Sequence, residues 1–293
     1  MTNLAAGEGR ATGRARKGLA IYFAIVVIGS AFLEWRILRT GEQIGANAQL
    51  VFALMWTPAI ASVVARLALR EGFRDVSFRW GGRAGTDACL LAWIFPLVVG
   101  FVAYGIAWTT GLAQFQSTRI AERLPTLPVP IGFLVSVVFS ATIAALVGCL
   151  SAAGEEIGWR GYMLTRLIDS GVPKPVLVSG IIWGAWHTPL ILSGQYASGS
   201  HPYVSAALFM VNIVAFAYLA AYVRLSSGSV WPAVLLHAAW NAIIQGPFDR
   251  NTVDTPMAVG ESGYLTAAVT IAVVVWMIRG RMDAVTADRR PAA

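Results

Sequence analysis

From Ile131 to Gly154 the chain carries no charged side chain, and immediately afterwards two carboxylates, Glu155 and Glu156, stand side by side. Wound as a helix, a run of that length reaches about 36 Å, more than the ~30 Å hydrocarbon core of a bilayer. Hydrocarbon offers the backbone no hydrogen-bonding partner, so such a run in lipid has to be helical. The pattern extends over most of the chain. Only 13% of its 293 residues are charged, 57% are hydrophobic, and the mean hydropathy is +0.64. A soluble domain carries roughly a quarter charged residues, so an ordinary water-soluble enzyme is excluded.

Apolar windows of spanning length fall near 19–34, 49–69, 88–108, 131–153, 176–193, 204–223, 229–246 and 263–279. The expected fold is all-α, a polytopic integral membrane helix bundle of about eight transmembrane helices. Connections such as 70–87, 119–130 and 246–256 carry the Gly, Pro and Asp of turns. Residues 1–18, with Arg10, Arg14, Arg16 and Lys17, read as a basic, disordered leader. Residues 19–280 read as a single transmembrane domain, and 281–293 as a short cytoplasmic tail. Glu34-Trp35-Arg36 follows the first span without a small-residue cleavage site, so that span reads as an uncleaved anchor. Cys89 and Cys149 lie in apolar sequence and read as reduced, structural thiols.

A net charge of +7 is of the sign that nucleic acid attracts, but no nucleic-acid motif accompanies it. In a membrane protein the placement of Lys and Arg matters more than their sum. With the N-terminus inside, the inner side holds Arg10, Arg14, Arg16, Lys17, Arg70, Arg74, Arg79, Arg83, Arg160, Arg166, Lys174, Arg224, Arg279, Arg281, Arg289 and Arg290. The outer side holds only Arg36, Arg39, Arg119, Arg123 and Arg250. Both termini are therefore expected in the cytoplasm, with the chain crossing the cell (inner or plasma) membrane several times.

Ionisable groups in or beside apolar spans are expensive and mark function. Beyond residue 130 they are Glu155, Glu156, Arg160, His187 and His237, with the amide of Asn241 one turn past His237. Glu156 and Arg160 are spaced i, i+4 and share a helix face as an ion pair. Glu155 is rotated by about 100° and is expected to face a cavity. Trp183 and His187 form a similar i, i+4 pair, and so do His237 and Asn241. Each feature alone fits a packing role; the combination does not. Two designs can hydrolyse an amide with this set. In one, Glu155, His187 and His237 hold a Zn²⁺ and leave a position open for water. In the other no metal is used: Glu155 and His187 activate the water, while His237 and Asn241 stabilise the oxyanion. Both designs stay open at this point. No Gly-x-Ser-x-Gly element is present, so a serine hydrolase is not indicated.

The segments 155-EEIGWRGYML-164, 183-WGAWHTPL-190 and 231-WPAVLLHAAWN-241 resemble the three signatures of the CPBP intramembrane protease family. Those signatures are Glu-Glu-x-x-x-Arg, aromatic-x-x-x-His and His-x-x-x-Asn/Asp. The family includes Rce-type CAAX prenyl endopeptidases and bacterial proteins linked to bacteriocin processing or self-immunity. Trp183 stands where phenylalanine is usual. The resemblance implies that Glu155 is the catalytic carboxylate, supported by Glu156, Arg160 and Trp183. It implies further that His187 helps activate water and that His237 with Asn241 stabilises the oxyanion. The partners expected are the lipid bilayer and a membrane-tethered peptide, CAAX-like or leader-type, but no nucleic acid. Two other readings compete: a catalytically silent, immunity-type peptide binder and a proton-coupled transporter. The window limits leave one tension. Glu155 falls at the inner end of its span and His187 well into the next, so for the groups to meet the first span must be long or tilted, or the next must start late. The cavity is expected to be wetted from the cytoplasm.

Overall fold

The computed structural model describes residues 2–253, 257–279 and 281–282, with side chains from residue 11 onward. Among the described residues its regular structure is helical apart from one pair of two-residue strands. The long helices are α1 (Thr2–Leu38), α2 (Ala48–Leu69) and α3 (Gly82–Thr110). Strand β1 (Gln114–Phe115) and the short α4 (Thr118–Arg123) follow. Next come α5 (Val129–Phe139), α6 (Ala145–Gly158) and α7 (Leu164–Asp169). The π turns Ser140–Ala144 and Trp159–Met163 join these three into one helical run. The chain continues through α8 (Pro175–Leu192), α9 (Pro202–Ser227) and α10 (Trp231–Ile243), which widens into a π turn at Ile244–Phe248. Strand β2 (Thr252–Val253) pairs antiparallel with β1, and α11 (Tyr264–Ile278) ends the bundle. Prolines open several of these helices at positions where the missing N–H costs nothing, and Gly111 and Gly228 stop α3 and α9 at positive φ.

Each of the eight apolar windows coincides with a helix, but among the described residues six helical segments are long and apolar enough to cross a membrane. The windows at 229–246 and 263–279 fold into α10 and α11, of 13 and 15 residues, shorter than a full crossing. Three further expectations change. In place of a disordered leader, α1 begins at Thr2; Ala15 is buried and Arg14 pairs with Glu71. The fourth span runs from Val129 to Asp169, far beyond its window, so Glu155 lies inside a helix rather than at its end. That length resolves the tension over depth. Arg160, counted among the inner-face cations, is buried in the interior. The tail expected at 281–293 lies outside the described residues from 283 onward.

The two ends of the bundle are tied by different chemistry. At one end the 70–82 connection is pinned by charge. Arg66 pairs with Asp75 and donates to the Gly161 carbonyl, and Arg166 reaches Glu71 at 2.9 Å and Asp75 at 2.8 Å. Arg224 donates to the Asp75 carbonyl, and Met282 packs beside Leu164 and Leu225. Arg14 of α1, paired with Glu71, and Met282 therefore lie at the same end of the bundle. At the opposite end the connections bond to one another: Ile44 N to Gln195 O, Gln116 N to Asn251 O, and Ser262 Oγ to Ala197 O.

Close helix approach depends on small residues. On α6, a Cβ added at Gly158 would fall 2.3 Å from Pro58 Cβ, and one at Gly154 would fall 2.6 Å from the Met55 carbonyl of α2. Gly158→Ala is expected to cost about 1–3 kcal/mol, measured by thermal unfolding in detergent. Gly105→Ala is the control; its added Cβ meets nothing within 4 Å, and a loss equal to that at Gly158 would refute the packing argument.

Candidate active site

The run α5–α7 carries the carboxylates, and the π turn Trp159–Met163 follows them directly. Wide turns of this type concentrate at functional sites. Glu156 is fully buried; its Oε1 lies 2.8 Å from Arg160 Nη1 and 2.9 Å from His237 Nδ1. Glu155 is also buried. Its Oε2 accepts the indole N–H groups of Trp183, at 2.8 Å, and Trp159, at 3.2 Å. Its Oε1 lies 4.0 Å from His237 Nε2. The Arg160 guanidinium sits 3.8 Å from the centre of the Trp183 ring, a desolvated cation–π contact. Trp183 thus serves both charges at once: its edge binds Glu155 and its face carries Arg160.

The i, i+4 pair Glu156–Arg160 forms as the spacing requires. Other expected relations differ. Glu155 does not stand free in a cavity, because its carboxylate is clamped by two indoles. Among the described residues His237 makes no hydrogen bond to Asn241; its Nδ1 bonds Glu156, and its Nε2 faces Glu155 Oε1 across 4.0 Å without bonding it. His187 Nδ1 lies 2.9 Å from the carbonyl of Trp183. A carbonyl can only accept, so this nitrogen carries the proton and Nε2 is left as an acceptor. Among the described residues, no hydrogen bond or ion pair links His187 to Glu155. Asn241 Oδ1 receives the Gln245 amide at 3.4 Å, which leaves the Asn241 NH₂ available.

A cavity of about 30 Å³ lies between these helices, lined by Trp183, His187, Tyr196, His237, Asn241 and Glu261 among others. It can hold a water molecule. Glu155 lies behind this lining, reached past His237. Larger cavities of about 480 and 370 Å³ flank it; the first opens beside α4 and residues 245–251, the second beside residues 196–199 and 257–262, both at the end of the bundle away from Arg14 and Met282. This conflicts with the joint expectation of cytoplasmic termini and a cavity wetted from the cytoplasm.

Two site residues escape sequence reading. Trp159 is i+4 from Glu155, the spacing that revealed the Glu156–Arg160 pair, yet tryptophans in such chains read as interfacial groups. Glu261 lies in a polar connection, where an acid reads as solvated. In the structure it is buried, accepting Trp240 Nε1 at 2.8 Å, Tyr196 OH at 2.6 Å and Gln245 Nε2 at 3.0 Å. It therefore ties α10 to the loop beneath His187, whose ring stacks on Tyr196.

Asp249, in the same connection, takes the Tyr104 hydroxyl. Burial pushes its carboxyl up to about 7, against the hydrogen bond from Tyr104, and Glu261 adds to the rise. The native state then holds a proton that the unfolded chain releases near pH 4, so stability falls as pH rises toward 7. Asp249→Asn is expected to raise the unfolding midpoint relative to wild type at pH 8 and not at pH 3.5. Parallel midpoints at both values would contradict this.

The zinc design does not fit. Among the described residues no three His, Cys, Asp or Glu side chains are grouped to hold a metal ion. The three side chains named for that design share no hydrogen bond or ion pair that joins His187 to either Glu155 or His237.

Residues 136–243, which contain all three motifs, match a protein-family model described as Type II CAAX prenyl endopeptidase Rce1-like. The match bears out the family resemblance read from the motifs, and that family is one of proteases. No curated protein matches the chain.

Proposed function

We propose that this protein is an intramembrane endopeptidase whose nucleophile is a water seated between Glu155 Oε1 and His237 Nε2. The observation that carries the reading is the 4.0 Å gap between those two buried atoms. A gap of that size between an acceptor oxygen and an imidazole nitrogen suits a bridging water. Glu155 takes the proton as the water oxygen attacks the scissile carbonyl carbon, and returns it to the departing amine nitrogen. Glu156 accepts a hydrogen bond from the His237 Nδ1–H and so fixes the tautomer that leaves Nε2 facing the water, a carboxylate–imidazole arrangement familiar from hydrolytic triads. Arg160 balances the second negative charge. Asn241 NH₂ donates to the developing oxyanion, its amide held in that sense by Gln245. His187 Nε2 accepts from water inside the cavity.

The charge asymmetry supports a cytoplasmic position for the terminal end of the bundle, and on that reading the cavities beside the site face the opposite side of the membrane. The substrate is then a membrane-tethered peptide reached from the outer face, which favours a leader-type over a cytoplasmic CAAX-type chain. Cysteines introduced at the exposed positions Ser200 and Ser226 test this. Ser200→Cys in intact cells is expected to react with an impermeant maleimide, and Ser226→Cys only after permeabilisation. The reverse pattern would invert the topology.

The enzymatic test is cleavage of a pool of lipid-tethered peptides by the full chain in proteoliposomes. Wild type is expected to cleave, and His237→Ala to lose roughly 10²–10⁴-fold in kcat. Prior treatment with a chelator is expected to leave the wild-type rate unchanged. A rate lost to chelator and restored by Zn²⁺ would overturn the metal-free assignment, and solute uptake without cleavage would overturn the peptidase.

A further inference from the structure

The cavity of about 480 Å³ begins at Asn241 and Gln245, runs between α5 and the π turn after α10, and reaches Arg123 and Arg250. Its walls are of two kinds. Leu124, Val135 and Phe139 line it with hydrocarbon, and Val135 and Phe139 are exposed on the side that meets lipid. At the far end stand the two guanidinium groups.

Those cations are conspicuous by their position. The outer end of the bundle holds only five basic residues, Arg36, Arg39, Arg119, Arg123 and Arg250, and three of them gather at this mouth. Arg119 and Arg123 share α4, and Arg119 Nη1 donates to the Arg250 carbonyl at 2.6 Å. The backbone around Arg250 is fixed further by Asn251, which bonds the Pro247 carbonyl, and by the β1–β2 pairing one residue on. Arg123 and Arg250 are exposed side chains on anchored backbone. The nearby acids are Glu122, exposed on α4, and Asp249, which faces away into its bond with Tyr104.

We propose that this groove is the product-side subsite of the peptidase and that Arg123 and Arg250 bind the free C-terminal carboxylate of the substrate. The inference rests on the peptidase reading above and adds to it what the substrate must carry. A peptide with its scissile bond at Asn241 lays its C-terminal part along the hydrocarbon walls and ends in a negative charge at the membrane boundary. Paired guanidinium donors suit a carboxylate in bidentate geometry.

Two matched peptides test it, one with a free C-terminal carboxylate and one amidated, both carrying a fluorophore and a lipid tether. Binding is measured to the full chain in nanodiscs of neutral lipid, before and apart from any cleavage. Wild type is expected to bind the acid at least about 10-fold more tightly than the amide, and Arg123→Gln/Arg250→Gln to bind both equally. Where cleavage is seen, that preference is expected in KM with kcat little changed. Equal binding of acid and amide by wild type would overturn the carboxylate site while leaving the peptidase intact. So would a loss in the double variant that falls equally on both peptides and only in anionic lipid, which marks a headgroup site. Preferential binding without any cleavage would overturn the peptidase reading instead, and with it the role of this groove as a product subsite.

Discussion

Glu155→Gln is expected to lower kcat by roughly 10³-fold or more while leaving the unfolding midpoint close to wild type. Loss of a positioned general base costs about 10²–10⁴-fold, and here the same group also positions the nucleophilic water. Glutamine is the informative replacement. Its amide oxygen can still accept the indole protons of Trp183 and Trp159, which lie 2.8 and 3.2 Å from Glu155 Oε2. Alanine would remove that acceptor and leave two buried N–H groups unpaired, each costing about 1–3 kcal/mol. A stability defect would then obscure the chemical one. The amide cannot take a proton from water at neutral pH, so binding of the tethered peptide should persist while turnover stops. Wild-type turnover by Glu155→Gln would mean that His237 alone supplies the base, and the division of roles proposed for the two glutamates would fail.

The bundle is legible in the sequence because lipid leaves the backbone one option, and every apolar window did become a helix. The lengths are less legible, since hydropathy registers where charge begins and not where helix ends. At Glu155 those two points differ by fourteen residues, because Glu155, Glu156 and Arg160 are charges that stay inside the helix with partners supplied by α8 and α10. The Glu156–Arg160 pair could be read from spacing alone, being local to one helix. His237 bonding Glu156 and facing Glu155 could not, because it depends on how α10 crosses α6. Glu261 was hidden for a related reason: its partners Tyr196, Trp240 and Gln245 come from two other segments of the chain, and its own neighbours in sequence resemble a solvated loop. The assignment of Glu155 to an open cavity failed because i, i+4 arithmetic places a side chain on a face without saying which indole fills the space in front of it.

Glu156→Gln makes the same chemical change one residue away and is expected to behave differently. Among the described residues Glu156 is the only carboxylate bonded to Arg160, and both side chains are buried, at 0% and 1% relative exposure. Neutralising it leaves a guanidinium in the interior with only the Trp183 face and the more distant Glu155 to balance it. Removing one partner of such a pair costs about 3–5 kcal/mol, against little for Glu155→Gln, which strands no charge. The variant should also lose turnover, because an amide at position 156 no longer fixes the His237 tautomer. Stability and activity can be separated by a second change. Glu156→Met/Arg160→Met removes both charges with side chains of suitable size, and should recover most of the unfolding midpoint while remaining inactive. Thermal unfolding in detergent across the four proteins of that cycle gives the coupling between the two side chains. Equal midpoints for Glu155→Gln and Glu156→Gln would show that the pair does not divide into one carboxylate that holds the site together and one that reacts.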